Sequence, residues 1–257
     1  LVTTQTVGSY QSKIQAYRFH DGCAVFALAG NVGLAEAAIQ HSEDALKGSR
    51  NKQRTKGELA AVVGGVLARE YKTHISSAGL LGTNCDYNVI FAIRSNVDGI
   101  ELYSTQTSAF TRSKTGLECA GAGYDVAQFL LRWAHKSDAS CEKVWNDAAY
   151  TIGVIKRLMP GCIGGEPIFL NLPKDGEIEV SGYAHAKHLE TYTAVYDMWS
   201  RTLLSAFMDL EDDEVFTRQL GEFAEGIASY RKQWQDKESS GWSNAPPEAA
   251  GIVIDLN

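Results

Sequence analysis

Strand-forming runs joined by short turns alternate along this chain with pairs of amphipathic helices, and this order constrains the fold more than any single motif. Two apolar runs flank the turn at His20-Asp21-Gly22, and a later pair flanks Asn96-Val97-Asp98-Gly99. Turns that end in Asp-Gly between such runs favour antiparallel hairpins. A parallel arrangement would instead place a helix between successive strands. The order therefore predicts antiparallel sheets covered by layers of helices.

The predicted elements define the fold class. The predicted strands are 11–18, 23–29, 87–94, 100–104, 110–112, 117–120, 167–172 and 177–180, and the predicted helices are 34–48, 58–75, 124–135, 141–158, 188–209 and 214–235. Within the second helix, Gly64 and Gly65 each cost about 1 kcal/mol relative to Ala, so we expect close packing against a neighbour to compensate there. The whole succession predicts an α+β protein, a four-layer α/β/β/α antiparallel sandwich with a C-terminal helical extension.

Composition excludes several classes of function. The 24 Lys and Arg residues are outnumbered by 31 Asp and Glu residues, and the net charge of -7 disfavours nucleic acid and anionic lipid as partners. The longest apolar runs, such as 23–29, are far shorter than the roughly 20 residues that span a bilayer. No charged and apolar leader follows Leu1. We therefore expect a cytoplasmic globular protein with no nucleic-acid or membrane partner.

Cysteine and histidine spacing gives little support for a metal or a cofactor. The five cysteines lie at wide spacings without a CxxC pair, and Cys23 and Cys119 fall in apolar runs that are typical of buried thiols. His185 and His188 share a helix face beside Glu190, but no further ligand follows at a suitable spacing. The Gly-rich turns lack the GK[ST] ending of a phosphate-binding loop. The sequence thus predicts neither a bound metal nor a cofactor.

Four short motifs occur in order along the first two thirds of the chain. They are Gly8–Ile14, Ala29–Gly33, Cys119–Gly123 and Gly161–Gly165. Together with the order of strands and helices, they resemble the proteasome-like branch of the N-terminal-nucleophile hydrolases, which includes proteasome β subunits, HslV-type peptidases and relatives in bacteria and phages. The resemblance spans about residues 3 to 182.

The resemblance implies a chemistry for two residues of this chain. In the family, an N-terminal Thr supplies both the nucleophilic hydroxyl and the amine that acts as general base, a Lys lowers the pKa of that amine, and a Gly amide binds the oxyanion. Carried over by position, Lys13 takes the role of the lysine and Gly30 that of the oxyanion donor. The alternative interpretation is plain: an isolated Lys is usually a solvated surface charge, and a Gly before a helix is usually a turn residue.

The sequence also departs from the family pattern. The resemblance places the nucleophile about 20 residues before Leu1, so the first two strands of the fold would lie upstream of this sequence. A Ser, an Asp and a Ser that support the nucleophile in the peptidases correspond here to Ala122, Pro160 and Ile163, whose side chains donate no hydrogen bond.

Two functions remain open. The first is a threonine-type peptidase or amidohydrolase subunit whose nucleophile lies upstream, with a peptide or protein substrate. The second is a non-catalytic, proteasome-like assembly subunit. In both cases the resemblance implies a homo-oligomer that forms through helices. The predicted domains are a proteasome-like domain over 1–182, a helical extension over 183–237 and an extended tail over 238–257.

Overall fold

The computed structural model describes residues 13–48, 52–79, 86–106, 109–136, 138–160, 168–180, 183–208, 213–240 and 253–255. The strands are β1 (Ile14–Phe19), β2 (Gly22–Gly30), β3 (Tyr87–Ser95), β4 (Gly99–Gln106), β5 (Ala109–Arg112), β6 (Leu170–Asn171), β7 (Glu179–Val180) and β8 (Val253–Asp255). The helices are α1 (Val32–Lys47), α2 (Lys56–Tyr71), α3 (Tyr124–Ala134), α4 (Cys141–Leu158), α5 (Tyr183–Met208) and α6 (Asp213–Ser240), and a π-helical turn, Lys72–Ser76, extends α2.

Five strands form an antiparallel sheet in the order β5-β4-β3-β2-β1, which confirms the α+β class and the predicted hairpins. β8 adds to the free edge of β1 in parallel, with Val253 opposite Gln15. An uncovered edge strand leaves backbone N–H and C=O groups unpaired, so this addition satisfies part of that edge. Within the predicted tail, β8 is extended. Helix α6 continues to Ser240, three residues beyond the predicted end of the helical extension at residue 237.

One face of the sheet and the first two helices enclose the main core. Alternate residues of β2 and β3 point to this face, and α1 and α2 supply the opposing apolar side chains. The fully buried members with the largest side chains are Phe26, Leu28, Ile39, Leu46, Leu59, Val63, Tyr71, Ile75, Phe91 and Ile93. Both helix starts are capped: the Asn31 side chain accepts from Leu34 N, and Thr55 and Glu58 form a capping box. These caps fix where α1 and α2 begin.

A buried ion pair ties the β1–β2 turn to the start of α2. The Arg54 guanidinium donates from Nε to Asp21 Oδ2 at 2.7 Å and from Nη2 to Asp21 Oδ1 at 2.9 Å, and Arg54 N donates to Asp21 Oδ2 at 3.0 Å. Both side chains are almost fully buried. The sequence pattern places Asp21 in the first predicted turn and gives no sign of a partner for it. The structure makes Asp21 and Arg54 an anchor between distant parts of the chain.

The opposite face of the sheet contacts the β6–β7 hairpin. Ile178 packs with Ala16 of β1 and Cys23 of β2, and the half-buried side chains of Leu170 and Leu172 join this cluster. The hairpin is shorter than the strands predicted for 167–172 and 177–180, but its antiparallel pairing agrees with the prediction. A second apolar layer therefore covers part of this face.

The prediction of a strand at 117–120 is wrong. Those residues form no strand, because the chain turns after β5 at Gly116, whose φ is 72°. The carbonyl of Leu117 accepts hydrogen bonds from the hydroxyls of Ser113 and Thr115. Such local side-chain bonds compete with pairing between strands. The segment reaches α3 as an irregular connection.

α5 packs on α4, and α6 packs along α5. Leu189 of α5 lies in a cluster with Ala149 of α4 and Phe169, and the ring of Trp145 lies 6.0 Å from that of Phe169. Within the described residues, no helix is both long and apolar enough to cross a membrane.

The paired glycines of α2 give a matched test of packing. A Cβ on Gly64 would overlap the ring of Phe110, whereas a Cβ on Gly65 meets no atom within 4 Å. The expected close packing is therefore confirmed at Gly64 and wrong at Gly65. We expect Gly64→Ala to lower the free energy of unfolding by about 1–3 kcal/mol through overpacking. Gly65→Ala should raise it by up to about 1 kcal/mol through helix propensity. Urea denaturation of both variants measures the difference, and equal effects would contradict this account.

Candidate active site

Lys13 and Gly30 lie at the same end of the central sheet. β1 begins where β2 ends, and Leu28 N donates to the Lys13 carbonyl oxygen at 3.0 Å. Gly30 follows Leu28 by two residues, so its backbone lies about 7 Å further along the strand. The antiparallel register thus brings together the two residues that the sequence motifs had selected separately.

The environment of Lys13 is not that of a solvated surface lysine. Its side chain is half-buried, and strand alternation places it on the face of Gln15 and Tyr17, which is the face covered by α1 and α2. Burial lowers the pKa of the Lys13 ammonium. Within the described part of the chain, no carboxylate forms an ion pair with Lys13.

Gly30 occupies a position that only glycine fits. Its φ is 91°, and a Cβ there would overlap the carbonyl oxygen of Asp86. The next residue, Asn31, donates its N–H to Asp86 O at 2.9 Å, toward β3. Successive amides of a strand point to opposite sides, so the Gly30 N–H points away from β3 and toward the side of β1. This exposed amide has the direction that an oxyanion donor beside Lys13 needs.

The second Gly-rich turn closes on the same end of the sheet. Gly121 has a φ of 93°, and a Cβ on Gly121 would lie 3.2 Å from the Cβ of Ala29. Ala122 is exposed in this turn, and α3 starts after Gly123. Described residues of three of the four motifs therefore lie in one region, with Lys13 and Ile14 representing the first. The fourth, Gly161–Gly165, lies outside the described residues together with Ile163.

Two of the three positions that support the nucleophile in the family have apolar side chains in this structure. Ala122 presents a methyl group at the second turn, and Pro160 is exposed at the end of α4. The thiol of Cys119 is half-buried, and burial raises its pKa, as it does for Cys23. Because the thiolate is the reactive form of cysteine, neither thiol is activated as a nucleophile.

Asp86 and two tyrosines form a polar cluster behind Gly30 that the sequence did not reveal. Asp86 Oδ1 accepts from Tyr87 N at 2.7 Å, and the rings of Tyr71 and Tyr87 lie 5.6 Å apart. Burial and the neighbouring Asp86 carboxylate raise the pKa of Tyr71 to about 12, and burial also raises the pKa of Tyr87. Both phenols therefore stay neutral at physiological pH. The only sequence signal was the position of Asp86 directly before the strand that pairs with Gly30.

The described residues contain no cluster of His, Cys, Asp and Glu with the geometry of a metal site. The side chains of His185, His188 and Glu190, which were weighed as ligands, lie outside the described set.

Comparisons with known proteins identify structures with a similar fold. No family model and no curated protein matches this sequence. Among solved structures, a Gly-1 mutant of Anbu from Hyphomicrobium sp. strain MC1 matches with a TM-score of 0.61 at 15% identity, over 82% of this chain and 91% of that one. Anbu from Yersinia bercovieri, described as an ancestral β subunit, matches with a TM-score of 0.60 at 13% identity, over 81% of this chain and 90% of that one. The chain has an Anbu-like fold.

A third structure, the helical assembly of the Anbu complex from Pseudomonas aeruginosa, matches with a TM-score of 0.58 at 15% identity, over 82% of this chain and 90% of that one. These matches correct the sequence-based assignment to the HslV-type and proteasome β-subunit branch, because the similarity is to Anbu. At 13–15% identity, these three matches show the fold alone.

Proposed function

We propose that this chain is a subunit of an amidohydrolase or peptidase with an Anbu-like fold, and that its nucleophile is an N-terminal Thr upstream of Leu1. One observation carries the proposal: the register of β1 and β2 places the half-buried Lys13 and the exposed Gly30 amide at the same end of one sheet. A cation and a backbone N–H donor at one end of a sheet are fixed parts that an N-terminal nucleophile requires.

Each part has a separate task in amide hydrolysis. The Thr hydroxyl attacks the substrate carbonyl carbon while the Thr amine accepts the hydroxyl proton. The Lys13 charge holds the pKa of that amine down, so that the amine is neutral and can act as a base. The Gly30 N–H donates to the carbonyl oxygen as that oxygen becomes negative. A water molecule then hydrolyses the acyl-enzyme, and the hydroxyl is regenerated.

The proposal extends to architecture and assembly. The contact of Ile178 with Ala16 and Cys23 supports a second sheet built on β6 and β7, and hence the four-layer α/β/β/α sandwich over 1–182. The upstream strands would enlarge that sheet. We further propose a homo-oligomer formed through helices, in line with the helical assembly of the Pseudomonas aeruginosa protein. The cytoplasm is the proposed location, since thiols such as that of Cys141 stay reduced there.

A specific observation favours the second candidate, a non-catalytic assembly subunit. Ala122 and Pro160 occupy positions where the resemblance requires a hydroxyl and a carboxylate. Without these groups, an N-terminal Thr has less help in moving protons and in orienting its amine. We therefore expect the full-length protein to cleave generic fluorogenic peptides about 10²–10⁴ times more slowly than a dedicated peptidase. A rate typical of a dedicated peptidase would contradict this expectation.

Labelling separates the two candidates. The full-length protein, purified with its native N terminus, is treated with a β-lactone that acylates N-terminal Thr, and intact mass and peptide mapping locate the adduct. An adduct on an N-terminal Thr upstream of Leu1 is the expected result. If the native protein begins without Thr, Ser or Cys, or if no adduct forms at any concentration, the peptidase proposal is overturned and the assembly subunit is supported.

A further inference from the structure

The backbone at Gly30 needs an external support to keep its amide in one direction. Glycine populates positive and negative φ about equally, so the φ of 91° at Gly30 is imposed by its neighbours. Before Gly30, β2 is held by its pairing with β1 and β3. After Gly30, the chain leaves the sheet and enters α1 at Val32. The direction of the Gly30 N–H therefore depends on what holds the junction between β2 and α1.

A backbone hydrogen bond holds this junction. Asn31 N donates to the carbonyl oxygen of Asp86 at 2.9 Å, directly after the last register pair of β2 and β3, in which Gly30 lies opposite Tyr87. The side chain of Asn31 serves a different purpose, since it caps α1 by accepting from Leu34 N at 3.1 Å. The bond to Asp86 O therefore ties the backbone of the junction to the start of β3.

The acceptor of this bond is itself fixed by the Asp86 side chain. The carbonyl group of Asp86 and the N–H of Tyr87 belong to one planar peptide group. Its N–H donates to Asp86 Oδ1 at 2.7 Å, while its oxygen accepts from Asn31. A rotation of this peptide group would break both bonds. The Asp86 carboxylate therefore sets the orientation of the carbonyl that receives the Asn31 N–H.

Gly30 packs directly against the same peptide group. A Cβ on Gly30 would lie 2.3 Å from Asp86 O and 2.8 Å from the Tyr87 Cα. The Tyr87 side chain is buried, and its ring makes an edge contact with the buried ring of Tyr71 at 5.6 Å. The peptide group is therefore held at one end by an aromatic pair and at the other by a carboxylate, and Gly30 rests on it.

We infer that Asp86 is a positioning residue for the candidate site. Its carboxylate fixes the peptide group that holds Asn31, and this anchor keeps the Gly30 N–H directed toward the side of β1. The inference rests on the oxyanion role of Gly30 in the proposed function. It requires a side-chain acceptor for Tyr87 N at position 86, and it does not require a negative charge there.

Two substitutions separate the acceptor from the charge. Asp86→Asn keeps an oxygen that accepts from Tyr87 N, whereas Asp86→Ala removes it. Hydrogen exchange is followed by NMR in the full-length protein without substrate. The Asn31 N–H should exchange about tenfold faster in Asp86→Ala, and close to the parent rate in Asp86→Asn. The Leu28 amide, which donates to Lys13 O, is the internal reference and should not change.

Acylation by the β-lactone gives the second readout. In Asp86→Ala the maximal rate of acylation should fall about 10- to 100-fold, because a displaced donor stabilises the oxyanion poorly. The lactone concentration at half-maximal rate should stay unchanged, since the donor acts on the transition state. Asp86→Asn should retain most of the parent rate. Asp98→Ala is the matched control: Asp98 Oδ1 accepts from Lys56 N at 2.8 Å beyond the other end of β3, and its loss should leave both readouts unchanged.

The two readouts distinguish this inference from the proposed function. If the parent protein is not acylated, the peptidase proposal fails, while the exchange rates still decide whether Asp86 holds the Gly30–Asn31 segment. An unchanged exchange rate of Asn31 in Asp86→Ala overturns the inference, and so does acylation of that variant at the parent rate. An equal increase at Leu28 also overturns it, because the whole sheet has then loosened. A loss in Asp86→Asn as large as that in Asp86→Ala makes the charge the cause and overturns it as well.

Discussion

Lys13→Met is expected to abolish amide hydrolysis in the full-length protein while leaving the fold intact. Methionine keeps the length of the side chain but removes the charge that would hold the nucleophilic amine neutral at working pH. We expect a loss of at least about 10²-fold in the rate of acylation. Labelling by the β-lactone and turnover of fluorogenic peptides both measure it.

The same substitution should not weaken the fold. Because burial lowers the pKa of Lys13, its charged form is less favourable in the folded chain than in the unfolded chain. Removing the charge should therefore leave the midpoint of thermal unfolding unchanged or slightly raised at pH 7. Lys72→Met, at an exposed position on the π-helical turn, is the matched control and should retain full labelling. Full activity in Lys13→Met would remove Lys13 from the site.

Asp21→Ala is expected to have the largest effect on stability, a loss of about 3–5 kcal/mol in the free energy of unfolding. The substitution leaves the buried Arg54 guanidinium without its carboxylate partner, and it also removes the acceptor for Arg54 N. Arg54 donates in addition to the Leu46 carbonyl, so the loss should spread to the contact between α1 and α2. Chemical denaturation followed by circular dichroism measures the change.

Two control variants test whether the loss of stability arises because the Asp21–Arg54 ion pair is buried. Lys52→Ala breaks the exposed ion pair with Glu58 and should change stability by less than about 1 kcal/mol. The double variant Asp21→Ala/Arg54→Met removes both buried charges and should recover part of the loss. A loss in Asp21→Ala no larger than that in Lys52→Ala would contradict the role of the pair as an anchor.

The Asp21–Arg54 pair also predicts the response to acid. Burial alone would raise the pKa of Asp21, but the hydrogen bonds and the charge of Arg54 outweigh it and hold the pKa below its ordinary value. A carboxyl group with a lowered folded-state pKa stabilises the fold above its unfolded value of about 3.9, and that stabilisation is lost as the pH falls below this value. In the parent protein, the denaturant concentration at the unfolding midpoint should therefore decrease as the pH is lowered below about 4. This decrease should be smaller in Asp21→Ala.

Local patterns in the sequence were sufficient for most elements of secondary structure. The bounds of α4 agree with the prediction, and α3 agrees within one residue, because apolar spacing and a terminating Pro160 act over a few residues. The same holds for the hairpin of β3 and β4 at Asp98-Gly99. The segment 117–120 failed because its strand-like composition gave no sign of the hydroxyl bonds to the Leu117 carbonyl.

The sequence by itself determined the succession of strands and helices, and its motifs selected Lys13 and Gly30. Only the tertiary structure decided that these two residues lie at one end of one sheet, because strand register is fixed by the pairing of β1 with β2 and by packing against α1 and α2. It also decided that Asp21 and Arg54 are buried partners. Polar residues far apart in the chain are exposed in most proteins, and nothing local distinguishes the few that folding brings together out of water.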